Sequence, residues 1–115
     1  TENLRYGEPP ALRVHHHLIM AQSMAFQNAT WLIETAKCGY EEGFRMFGHS
    51  LIVAPTGEIA VKTSTEDDEV ICYNADIDLA QNLKQTMFNF AAHRRPEHYR
   101  LIIERVGAEV TPAND

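Results

Sequence analysis

Between positions 11 and 29, apolar residues recur on two adjacent helical faces, and this double stripe constrains the fold more than any other stretch of the chain. Leu12, His16, Ile19, Ser23 and Phe26 fall on one line at three- and four-residue spacing, while Leu18, Ala21, Ala25 and Ala29 fill the face beside it. A helix apolar over so wide an arc needs two neighbours, most simply its own sheet on one side and a second helix on the other. The small Ala21 and Ala25 admit a close approach. His16 shares the line of Leu12 and Ile19 and is therefore expected to face the sheet.

The sheet is expected downstream. Residues 30–37 alternate Trp31, Ile33 and Thr35 with Leu32, Glu34 and Ala36, a strand pattern that Gly39 ends. A loop with Glu41, Glu42 and Gly43 follows. Residues 49–54 and 59–62 then flank Pro55-Thr56-Gly57, a proline-glycine turn that predicts a β-hairpin. After an acidic turn at 63–68, residues 70–75 read as a third strand segment, and Asp76 or Asp78 caps a helix reaching about residue 90 with Leu79, Leu83, Met87 and Phe90 on one side. Pro96 interrupts the pattern, 101–106 reads as a short helix or an edge strand, and 111–115 as a frayed end. At the other end, Gly7, Pro9 and Pro10 give residues 1–10 the character of a loop's tail, so the chain is expected to begin in mid-fold. The organisation is an α/β unit with a loop at 1–11, a core at 12–92 and a C-terminal extension at 93–115, without internal repeats.

Charge narrows the function classes. The 115 residues carry 10 basic and 16 acidic side chains, a net charge of −6, which opposes binding to phosphate backbones; no nucleic-acid partner is expected. The basic stretch 93–100 (HRRPEHYR) is expected to pair its arginines with acidic groups of this chain or of a partner subunit. The longest apolar run, 51–54, falls far short of the roughly 20 residues of a membrane-spanning helix, so no membrane association is expected. Cys38 and Cys72 are 34 positions apart with no Cys-x-x-Cys pair, which suits reduced thiols in a cytoplasm.

No catalytic constellation emerges from spacing alone. Consecutive helical residues point about 100° apart, so His15, His16 and His17 cannot converge on one ion, and no metal is expected. For His16 a hydrogen-bonded core histidine and a site role stay equally open. Cys38 and Cys72 read as small apolar residues in or beside strands, Ser50 as a hydroxyl bonded to backbone, and Glu66-Asp67-Asp68-Glu69 as a solvated turn.

Two further levels of pattern carry a resemblance. Gly48-His49-Ser50-Leu51-Ile52-Val53-Ala54-Pro55-Thr56-Gly57-Glu58 resembles the Gly-x-Ser-x-x-x-x-Pro-x-Gly hairpin in the C-terminal half of the nitrilase, or carbon-nitrogen hydrolase, superfamily. Together with His16-His17, Phe26-Gln27-Asn28-Ala29-Thr30-Trp31, Lys37-Cys38-Gly39-Tyr40-Glu41-Glu42-Gly43, Phe88-Asn89-Phe90 and His93-Arg94-Arg95-Pro96-Glu97-His98-Tyr99, it resembles the N-carbamoyl-D-amino-acid amidohydrolases. That resemblance implies the C-terminal portion of a four-layer α-β-β-α sandwich with no cofactor, acting on a small N-carbamoyl amino acid. It implies a cysteine nucleophile, a glutamate base and an oxyanion-stabilising lysine upstream of this chain, so that neither Cys38 nor Cys72 attacks substrate. It further implies that His16 supports the active site and that Asn3 binds substrate, although Leu4 stands where the family has a threonine. A homodimer or homotetramer is implied, with 94–99 reaching towards a partner subunit. A relative hydrolysing a nitrile, a simple amide or a carbamoyl β-amino acid is the alternative, as is a noncatalytic piece that only associates with another chain.

Overall fold

The computed structural model describes residues 7–107. Pro10 opens helix α1 (Pro10–Gln27) at a position where its missing N–H is no loss, and the helix ends in a Schellman-type closure. There Thr30 N–H donates to the Ala25 carbonyl and Ala29 N–H to that of Phe26, with Ala29 in the left-handed region at φ 46°. Five short strands follow: β1 (Leu32–Glu34), β2 (Cys38–Glu41), β3 (Phe44–Phe47), β4 (Leu51–Val53) and β5 (Ile59–Lys62). They form an antiparallel three-stranded sheet in the order β1-β4-β5 and a separate β2-β3 hairpin.

Ala21 and Ala25 of α1 pack on Leu51 and Val53 of β4, with Leu18 and Leu32 at the margin, and this contact is the core. The face that meets the sheet is therefore the alanine face. The line of Leu12, His16, Ile19 and Phe26 turns outward, contrary to the expectation for His16. Removing side-chain bulk brings the helix backbone close to the sheet, and methyl groups there exclude water from Leu51 and Val53 completely. Ile19, Met20 and Met24 remain 47, 61 and 52% exposed, so the second neighbour that the wide arc demands is not among the described residues. On the other side of the sheet, strand alternation aligns Ile33, Ile52 and Val61 across β1, β4 and β5, with Ile33 73% exposed. The result is a slab of 58 × 43 × 18 Å whose radius of gyration, 19.4 Å, exceeds the roughly 13 Å of a compact domain of about 100 residues.

Three sequence expectations are corrected. The strand expected over 30–37 is only Leu32–Glu34, and the loop expected after Gly39 is the β2-β3 hairpin. Its register pairs Glu41 with Phe44, leaving Glu42 and Gly43 as a two-residue turn, both at positive φ (50° and 81°), the hand that matches strand twist. Residues 70–75 form no strand; Val70 is exposed and the segment has no ladder partner. Asp76 does cap, accepting from Asp78 N–H, but the helix it starts is a 3₁₀ turn (Ile77–Ala80) running into α2 (Gln81–Gln85) and stopping there. Beyond it lie α3 (Phe90–His93), a 3₁₀ turn (Pro96–His98) that Pro96 begins rather than ends, and α4 (Arg100–Glu104), the short helix among the two alternatives for that stretch. This region is attached by Trp31 Nε1–H donating to the Asp76 carbonyl at 2.8 Å and by an edge-to-face contact of Phe26 with Phe88 at 5.0 Å.

Candidate functional site

The three histidines of α1 go three ways, as helical geometry requires. His16 is half exposed, on the open side of the helix, with Nδ1 paired to the Glu8 carboxylate. His17, only 9% exposed, is the one that faces the sheet. Its Nε2–H donates to the His49 carbonyl at 2.9 Å, and Nδ1 lies 3.1 Å from Oε1 of Glu34 in β1. The sequence held a signal for this: His17, Ala21 and Ala25 succeed one another at four-residue spacing, so the histidine belongs to the alanine stripe.

Phe47 is the hub of the same cluster. Its ring meets His17 edge-on at 5.2 Å, His49 at 6.0 Å and the Arg13 guanidinium at 5.8 Å. Nε of Arg13 and Nδ1 of His49 are buried without a hydrogen-bond partner among the described residues. Burial, followed by the nearby Lys62 and His17, holds the His49 imidazole below its usual range.

The hairpin motif is built around backbone requirements. Gly48 and His49 both sit in the left-handed region, at φ 64° and 62°, turning the chain from β3 into β4. Ser50 Oγ accepts from Ala36 N–H at 2.9 Å and donates to the Ala36 carbonyl at 3.3 Å, the backbone role expected of it. Pro55 is fully buried in the turn. Gly57, at φ 84°, lies under α1, where a Cβ would stand 3.4 Å from the Gln22 carbonyl, and Gln22 Nε2–H donates to the Gly57 carbonyl at 2.8 Å. The Gly-x-Ser and Pro-x-Gly ends thus fasten the hairpin to the loop after β1 and to α1.

A cavity of about 320 Å³ opens beside the hairpin, lined in part by Cys38, Ser50, Thr65, Asp68 and Glu69. Cys38 Sγ lies 3.5 Å from Oδ1 of Asp68, and desolvation followed by that carboxylate pushes the thiol up, which disfavours a thiolate. Cys72 is exposed on the non-strand segment, not buried as a strand residue would be. The acidic run is solvated but partnered: Arg45 pairs with Glu66 and holds its carboxyl below the ordinary range. The N–H groups of Ser64 and Thr65 do the same for Glu69. In the basic stretch, Arg100 pairs with Glu104 of its own helix at 3.1 Å, whereas Arg95 bonds to the carbonyls of Ala92 and Arg94 and not to a carboxylate. Asn3 lies outside the described residues.

Comparison with known proteins gives these features a setting. The sequence model of the carbon-nitrogen hydrolase family matches residues 4–85. A probable nitrilase of Schizosaccharomyces pombe is 31% identical over 74% of this chain and 31% of its own length. The deaminated glutathione amidase of Mus musculus is 28% identical over 73% of this chain and 26% of its own length. The chain therefore spans about a third, or less, of the curated relatives it matches. A carbon-nitrogen hydrolase structure from Helicobacter pylori superimposes with a TM-score of 0.71 at 23% identity, over 83% of this chain and 34% of that one, and shares its fold. No helix of the described residues is long and apolar enough to cross a membrane.

Proposed function

Because this chain belongs to the carbon-nitrogen hydrolase family, we propose that it is the C-terminal portion of a cysteine-dependent amidohydrolase that converts N-carbamoyl-D-amino acids to D-amino acid, ammonia and carbon dioxide. The observation that carries the reading is the Gly48–Gly57 hairpin, where each motif residue has a backbone task in docking β4-β5 against α1. The substrate class rests on the resemblance of the stretches around Phe26, Cys38, Phe88 and His93. Attack of an upstream thiolate on the carbamoyl carbon, with a glutamate moving the proton and a lysine stabilising the oxyanion, releases ammonia; one water completes the hydrolysis, and the carbamate formed loses carbon dioxide.

Within this reading the chain contributes scaffold. The Ile33-Ile52-Val61 row is the face that a second sheet covers in a four-layer sandwich, and the exposed line of Leu12, Ile19 and Phe26 is the face that a second copy covers in a homodimer or homotetramer. His16, paired with Glu8, supports the active site from the open end of α1, and Asn3 binds substrate. The unpaired Cys38 and Cys72 suit a cytoplasmic location. A second reading, hydrolysis of a nitrile or simple amide, is favoured by the names of the relatives above.

The test is ammonia release by the full-length product of the reading frame from N-carbamoyl-D-amino acids, with their L-enantiomers, nitriles and primary amides alongside. Turnover of the D-carbamoyl substrates is expected; turnover of nitriles or amides alone replaces the first reading with the second.

A further inference from the structure

We propose that His17 is a positioning residue of the site, acting through α1 to set the direction of His16; this rests on the reading of His16 given above. Three observations carry it. His17 reaches two separate pieces of backbone scaffold, the His49 carbonyl at the head of β4 and the Glu34 carboxylate in β1, with bonds of 2.9 and 3.1 Å. It does so from within a side chain 9% exposed, packed edge-on against Phe47, while Arg13 one turn earlier covers the same ring. The carbonyl it holds belongs to a residue in the left-handed region, φ 62°, whose orientation needs such an external tie.

The consequence follows from helix geometry. Adjacent residues on a helix are fixed about 100° apart and 1.5 Å along the axis. Once His17 is pinned at two points, neither rotation nor sliding of the N-terminal half of α1 is free, and the azimuth of His16 and the reach of Glu8 to it are determined. The alanine face alone does not do this, because Ala21 and Ala25 make smooth, nondirectional contacts one and two turns further along. Glu34 is charge partner and anchor at once: with Nε2–H given to the carbonyl, Nδ1 donates to the carboxylate when the ring carries its second proton. The other charged and titratable groups around the cluster are Arg13 on α1, His49 itself and, from β5 and the acidic turn, Lys62 and Glu66, both of which act on His49.

A double-mutant cycle on the full-length enzyme tests the inference. His16→Ala is expected to lower kcat by about tenfold or more, and His17→Leu, which fills the space and donates no hydrogen bond, to lower kcat by about tenfold with KM little changed. The double variant is expected to lose no more than His16→Ala alone. His17→Gln, whose amide N–H can still reach the His49 carbonyl, is expected to recover part of the loss and serves as the folded comparison if His17→Leu is unstable. Additive losses, or a fully active His17→Leu, overturn the positioning role and leave the amidohydrolase reading standing. An inert His16→Ala, or a wild-type protein silent on carbamoyl, nitrile and amide substrates, overturns the reading itself and this inference with it.

Discussion

Residues 10–62 and residues 63–107 are built on different principles. In the first stretch, hydrogen-bond ladders and a helix closed by its own backbone place Ala21, Ala25, Leu51 and Val53 against one another at full burial. In the second, Ala80 is the only buried residue described, and the helices are four or five residues long. Such helices are too short to be stable alone. They persist through point attachments: the bond from Trp31 to Asp76, the Asp76 cap and the Phe26–Phe88 contact. The difference teaches where stability resides. The first region opens only with global unfolding, and the second opens locally at lower cost.

The strongest way to break this comparison is truncation of the core. Leu51→Ala is expected to cost about 2–5 kcal/mol in denaturant unfolding of the full-length protein, whereas Ile102→Ala, a comparably large truncation at an exposed site, is expected to stay within about 0.5 kcal/mol unless a partner subunit covers it. Equal effects would remove the distinction. Gly57→Ala comes next: a left-handed φ of 84° and the Gln22 carbonyl 3.4 Å from the new Cβ predict a loss of about 1–2 kcal/mol, read as a drop in Tm. Asp76→Ala sharpens the contrast by acting on the second region alone. Loss of the cap is expected to cost about 1 kcal/mol and to speed amide exchange across 77–85 while β4 and β5 keep their protection.

The smallest effect expected is that of pH. His49, Glu66 and Glu69 are all held below their ordinary values, so the unfolded state takes up protons first and stability falls as the solution is acidified. The His49 share goes as pH drops below about 6.5 and the glutamate shares as it drops below about 4.5, the ordinary values of these groups. Because the glutamates are exposed, salt should shrink their part, and Arg45→Gln should remove that of Glu66; a Tm that rises on acidification would contradict the assignment.

Much of the first region was legible because its signals are local. Pro55-Thr56-Gly57 announces a hairpin by backbone geometry, and Asp76 announces a cap by its reach to the N–H two residues on. The β2-β3 hairpin was missed because Glu42-Gly43 does not look like the usual Asn-Gly turn, although it adopts the same positive-φ pair. The opposite error at 70–75 has the complementary cause: Val70, Ile71 and Tyr73 have strand propensity, but a strand exists only where another edge is free to pair with it. Of the site, the motif was legible and the histidine facing the sheet was not, since one position along a helix of wide apolar arc turns the side chain through about 100°.

The sequence by itself determined the helix, the hairpin turn, the cap and the family resemblance, each of which depends on residues within a few positions of one another. Which face of α1 is buried, which strands pair, and which of three consecutive histidines reaches Glu34 and His49 were decided only in the tertiary structure. Those outcomes depend on groups 17 and 32 positions away from His17, and no local preference encodes a contact whose partner the chain must first bring into place.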